Sequence, residues 1–166
     1  MDVNERLARL EAIIEIERLQ YAYGDACDDG YPPDLLSAMF TADGRWVREF
    51  TRGGQGKELV GRAAIAKHFA ATPKRFLWGS HGCTPVRIDV SPGAQEAVGR
   101  WRLRMPCVLL FNGRRQNFWI AGRYQNDYLV EDGEWRFKKV RMIYDVATPV
   151  DFAWPTRTID RTYLDG

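Results

Sequence analysis

The stretch from residue 96 to residue 146 constrains this chain more than any other. Through residues 96–111, Arg100, Arg102 and Arg104 fall on one side. Trp101, Leu103, Met105 and Cys107 fall on the other, the pattern of a strand with one wet face. Asn112-Gly113 then supplies a tight hairpin turn, residues 116–130 a second strand, Asp132-Gly133 another turn, and residues 134–146 a third strand. Residues 86–90 precede them, joined through Ser91-Pro92-Gly93. These connections are too short for crossovers, so the four strands are expected to make one antiparallel sheet.

The first half of the chain follows a helical period instead. Asp2 and Glu5 have capping-box spacing, and Leu7, Leu10, Ile13, Ile14, Ile16 and Leu19 recur as one apolar face that continues to Tyr23, Ala26 and Cys27. Asp28-Asp29-Gly30 ends that helix, and Pro32-Pro33 seeds a short second one over residues 34–40. Residues 45–50 suggest a strand and Gly53-Gly54-Gln55-Gly56 a loop. Residues 61–71 form a third helix, closed by Pro73. Three helices followed by a meander predict an α+β domain over residues 1–166, with the helices on one face of a curved sheet. Residues 148–166 read as a tail that wanders over the surface or covers a pocket.

Composition excludes several functions. With 24 Lys plus Arg against 22 Asp plus Glu, the chain is almost neutral and lacks the basic patch of a nucleic-acid binder. Its longest apolar run, residues 107–111, is too short for a membrane span, and the charged N-terminus does not read as a secretion signal. A cytoplasmic location is expected, with Cys27, Cys83 and Cys107 as free thiols. Two histidines, no CxxC and no HExxH leave no metal site to propose, and the glycines at 53–56 lack phosphate-loop spacing. Aromatics at 13% of residues suit either a ring-binding pocket or an aromatic core.

Four stretches carry a resemblance: Tyr21-Ala-Tyr-Gly-Asp-Ala-Cys-Asp28, Gly79-Ser-His81, Gly99-Arg-Trp-Arg-Leu-Arg-Met-Pro-Cys107 and Asp132-Gly-Glu-Trp-Arg-Phe137. In this order the chain resembles the SnoaL-like branch of the nuclear transport factor 2 superfamily, over roughly residues 7–152. Within it the text is most similar to scytalone dehydratase, then to bile acid 7α-dehydratase and hexachlorocyclohexane dehydrochlorinase. The resemblance implies a cone-shaped, cystatin-like sheet with three helices on its concave face, and a homo-oligomer, trimer ahead of dimer. It also implies that Asp28 and His81 are the catalytic pair, with Tyr23 similar to the tyrosine of the bile acid enzyme. Cys107 stands where scytalone dehydratase has a second histidine, and Cys27 where it has a tyrosine. Gly122 and Tyr124 replace its Ser and Asn. Substrate-fitting positions are therefore changed while the pair is kept.

The chemistry of those residues agrees with that implication. Elimination beside an electron-withdrawing group needs a base for the carbon-bound proton. Histidine, with an ordinary pKa of about 6.5, is largely neutral at working pH. A carboxylate on its other ring nitrogen fixes the tautomer and stabilises the imidazolium. No cofactor is required. Taken singly, each residue has a plainer role: His81 structural in a strand, Asp28 closing its helix, Tyr23 in the core. His68 is expected on an exposed helix face. Trp101, Met105, Cys107, Trp119, Tyr124 and Tyr144 are the candidates for lining a substrate pocket. The expected activity is a cofactor-independent dehydratase acting on a small apolar or cyclic substrate. A polyketide aldol cyclase, or a non-catalytic binding or assembly protein, is the alternative.

Overall fold

The computed structural model describes residues 2–52 and 55–151. In chain order it contains α1 (Val3–Asp28), α2 (Pro33–Ala38), β1 (Phe40–Phe50), β2 (Lys57–Val60), α3 (Arg62–Ala71), β3 (Phe76–Gly79), β4 (Gly82–Val90), β5 (Glu96–Phe111), β6 (Arg114–Glu131) and β7 (Glu134–Pro149). One 3₁₀ turn, Thr72–Lys74, follows α3 at Pro73. No described helix is long and apolar enough to cross a membrane.

The meander forms as its pattern dictates. β4, β5, β6 and β7 pair antiparallel in succession. Asn112 and Gly113 have φ of 50° and 72°, and Asp132 and Gly133 have 54° and 78°. Two successive positive φ values match the twist of the strands they join. Along β5 burial alternates residue by residue from Glu96 to Met105, with Arg100, Arg102 and Arg104 exposed. β6 bends at Gly122, where the register to β7 shifts. A methyl group there would fall 2.3 Å from the Ile143 carbonyl oxygen, so no other residue lets the two strands approach this closely.

Two short strands and one pairing direction were not legible in the sequence. The sheet has seven strands in the order β2-β1-β7-β6-β5-β3, with β4 also on β5. It is mixed, because β1 runs parallel to β7. The cause is where β1 begins: the Phe137 N–H donates to the Met39 carbonyl at 2.8 Å, so β1 leaves α2 at the start of β7 and travels with it. The expected second helix also ends earlier, at Ala38, and Phe40 opens β1.

α1 has the expected capping box: the Asp2 side chain accepts from the Glu5 N–H, and the Glu5 side chain accepts from the Asp2 N–H. Its apolar face is only partly core. Ala12, Ile16, Gln20, Tyr23 and Cys27 are buried, whereas Leu7, Leu10 and Ile14 are about half exposed. A helix of 26 residues is about 39 Å long, and only its second half is packed on the sheet. That half is pinned by polar contacts. The Asn126 side-chain amide donates to Gln20 Oε1 at 2.8 Å, and Trp101 Nε1 donates to the Tyr128 hydroxyl at 2.9 Å. The Tyr128 hydroxyl also reaches Gln20 Oε1 at 3.3 Å. All four side chains are buried and partnered, so the network fixes where α1 lies without an unsatisfied group.

Candidate active site

A break between two strands creates the site. β3 and β4 lie end to end on the same edge of β5, with Gly79 opposite Cys107 and Gly82 opposite Arg104. The interruption, Ser80-His81, falls beside Pro106, which has no N–H to give to the ladder. Ser80 still donates to the Pro106 carbonyl at 3.1 Å, and the His81 N–H turns instead to Asp28.

Asp28 is the last residue of α1. A carboxylate there meets the negative end of the helix dipole, an arrangement that costs about 0.3–1 kcal/mol at exposed sites. His81 supplies the compensation. Its backbone N–H donates to Asp28 Oδ2 at 2.8 Å and Oδ1 at 3.1 Å, and its ring Nδ1 lies 2.5 Å from Oδ1. A carboxylate only accepts, so the neutral ring carries its hydrogen on Nδ1 and its lone pair on Nε2. The His81 side chain is 7% exposed and that of Asp28 29%. Gly24 on α1 leaves ordinary van der Waals space at the His81 backbone: a methyl group would be 3.6 Å from the His81 Cβ.

His81 borders a cavity of about 250 Å³, just below the usual span for drug-sized ligands of about 300–1,000 Å³. Its walls are mostly aromatic and thioether: Tyr23, Tyr31, Phe69 and Phe76 with Met105, and Tyr124 and Tyr144 with Met142. Burial pushes the phenols of Tyr23, Tyr31, Tyr124 and Tyr144 well above their ordinary range, so each stays a neutral donor. The Tyr23 hydroxyl accepts from Trp46 Nε1 at 3.0 Å. Burial also raises the thiols: Cys83 to about 11, Cys107 to about 12, and Cys27 well above its ordinary value. None of them is a ready nucleophile.

Of the expected site residues, the cavity unites His81, Tyr23, Met105, Tyr124 and Tyr144, and Asp28 joins them through His81. Trp101, Cys107 and Trp119 are not among its lining residues. Trp101 belongs to the Gln20–Tyr128 network. Cys107 is fully buried opposite Gly79. Trp119 precedes the buried Ile120 and so points to the other face of β6.

His68 corrects the sequence reading. It lines the cavity instead of facing solvent: its ring lies 4.6 Å from that of Trp46, and its Nδ1 lies 3.0 Å from Lys57 Nζ. An ammonium only donates, so Nδ1 is the acceptor and the ring hydrogen is on Nε2. Burial first, then Lys57 and Arg48, depress its pKa to about 4. The cavity also takes in Arg48 and Arg75. Sequence patterning missed these residues because β2 is too short to show a period, and because a period does not say which residues of β1 and α3 converge on one cavity.

The SnoaL-like domain family matches residues 8–141. No curated protein matches the chain. Among solved structures, a scytalone dehydratase candidate from Novosphingobium aromaticivorans DSM 12444 is 23% identical with a TM-score of 0.70, covering 91% of this chain and 97% of that one. Two structures of hexachlorocyclohexane dehydrochlorinase are also similar. The type 2 enzyme is 24% identical with a TM-score of 0.74, covering 92% of this chain and 99% of its own. The type 3 enzyme from Novosphingobium barchaimii LL02 is 22% identical with a TM-score of 0.73, covering 90% and 99%. At these identities the likeness is one of fold.

Proposed function

The chain belongs to the SnoaL-like domain family, and from that premise we propose that it is a cofactor-independent lyase, a dehydratase of a cyclic, partly apolar hydroxylated substrate. The observation that carries the reading is the Asp28–His81 pair at the wall of an aromatic cavity. His81 Nε2 takes the proton from the carbon beside a carbonyl, and the Asp28 carboxylate stabilises the imidazolium through Nδ1. As the carbon–oxygen bond breaks, the imidazolium returns that proton to the departing hydroxyl. A carbon–carbon double bond and water result, with the enzyme unchanged. The Tyr23 hydroxyl, kept neutral by burial, donates to the carbonyl or to the leaving group.

Cyclic β-hydroxy ketones and related alcohols, screened for loss of water, provide the test. The expected result is turnover that disappears in His81→Ala while the far-ultraviolet spectrum is kept. Full activity in that variant would overturn the acid–base assignment, and ring closure without loss of water would point to an aldol cyclase. The reading also includes a homo-oligomer, trimer ahead of dimer. The exposed apolar residues Val3, Leu7, Leu10 and Ile14 on α1 support it. A monomer in sedimentation at micromolar concentration would contradict it.

A further inference from the structure

Three cations, Arg48, Lys57 and Arg75, line the cavity, and among the described residues no aspartate or glutamate does. Arg48 and Lys57 are direct partners across the β1–β2 pair. Strand alternation puts the adjacent carboxylates elsewhere, and both are already engaged: Glu49 accepts two hydrogen bonds from Arg141, and Glu58 pairs with Arg45. Among the described residues, no carboxylate lies within ion-pair distance of Arg48, Lys57 or Arg75, whereas Arg45, Arg62, Arg123, Arg136 and Arg141 all have one. The Arg48 Nε is buried with no hydrogen-bond partner among the described residues, and its guanidinium lies 5.5 Å from the centre of the Phe50 ring. A half-buried charge without a counter-ion is costly, and a ligand anion removes that cost. Lys57 also holds His68 as a neutral ring with its hydrogen on Nε2, a further donor in the same wall.

We propose that this wall is an oxyanion subsite that takes a carboxylate carried by the substrate, gripped by Arg48 and Lys57 with His68 as a neutral donor. A guanidinium matches a carboxylate with two parallel hydrogen bonds. The small cavity favours this compact group over a phosphate ester or a nucleotide. The substrate is then a cyclic hydroxy acid or keto acid whose anionic end is anchored here while the reacting carbon is presented to His81. This specificity rests on the lyase reading for its reacting end, but anion binding is measurable without turnover.

The test is equilibrium binding of matched probes to the full chain: cyclohexanecarboxylate against cyclohexanecarboxamide, and benzoate against benzamide and phenyl phosphate. Each carboxylate should bind about tenfold more tightly than its amide, a preference that shrinks as salt rises. In Arg48→Met, and separately in Lys57→Met, the preference should fall to under about threefold. His81→Ala should keep it. Arg48→Met should also raise the melting temperature, by about 2–4 °C, because an unpaired charge is removed; a purely structural arginine would give a fall. Equal affinity for carboxylate and amide, no carboxylate binding at millimolar concentration, or tighter binding of phenyl phosphate would each overturn the subsite. A retained carboxylate preference with no dehydration of any hydroxy acid would instead defeat the lyase reading and leave the subsite standing.

Discussion

His81 and His68 border one cavity and offer the same ring atom, Nδ1, to partners of opposite charge. Asp28 faces the first at 2.5 Å and Lys57 the second at 3.0 Å. The carboxylate makes His81 Nδ1 a donor and leaves a lone pair on Nε2. The ammonium makes His68 Nδ1 an acceptor and leaves a hydrogen on Nε2. One residue type thus keeps a lone pair on Nε2 in one corner and a hydrogen on Nε2 in the other, and the neighbour decides which. The corners are physically joined. Trp46 donates to the Tyr23 hydroxyl and lies against His68 with the two rings tilted, while Tyr31 stacks on Phe69 and meets the His81 ring edge-on.

The strongest way to break this contrast is to erase it at His81. His81→Ala should lower kcat by about 10² or more with the fold kept, measured on a substrate from the dehydration screen. Asp28→Asn should act in the same range, about 10²–10⁴. The amide oxygen can keep the backbone N–H of His81 while its nitrogen donates to Nδ1. His81 would then carry the tautomer that His68 has, and chemical shifts of the ring nitrogens would report the exchange.

Lys57→Met attacks the other corner. It should lower kcat/KM for an anionic substrate by about tenfold. It should also move the His68 titration from about 4 part of the way toward the ordinary histidine value, leaving the contribution of burial in place. Proton resonances of the ring followed against pH would measure that shift, and an unchanged midpoint would show that Lys57 contributes nothing to it.

Tyr23→Phe probes the link between the corners. It removes one hydrogen bond from a buried pair, so the expected loss is about 1 kcal/mol in stability, together with a three- to tenfold fall in kcat of about the same energy. Chemical denaturation and steady-state rates separate the two.

The last effect concerns pH and follows from the depressed pKa of His68. Its folded value of about 4 lies below the unfolded value of about 6.5, so folding favours the neutral ring. That contribution is complete above about pH 6.5 and is lost as pH falls toward about 4. His68→Gln should flatten the stability profile in this window, read from denaturant midpoints at closely spaced pH.

Several features were legible residue by residue. Asn112-Gly113 and Asp132-Gly133 name their own turns, because few other pairs tolerate two successive positive φ values. The alternation of β5 announces which side is wet, since a slip of one residue would bury Arg100, Arg102 and Arg104. Alternation says nothing about position along a strand. Trp101 and Met105 share a face of β5, yet Trp101 lies under Gln20 and Tyr128 and only Met105 reaches the cavity. β2 and β3, four residues each, are too short to show a period.

The sequence by itself therefore determined the meander, its hairpins and the capped first helix. Those features depend on neighbours one to four positions apart, where backbone sterics and side-chain period act directly. Only the tertiary structure decided which partner each histidine received. Asp28 and His81 are 53 residues apart, and Lys57 and His68 meet across a strand and a helix. Such meetings depend on where α1 and α3 cross the sheet, and a local pattern carries no information about that crossing. The tautomer is fixed at the same late stage, because which of a histidine's two nitrogens carries the hydrogen depends on the partner that the fold places beside it.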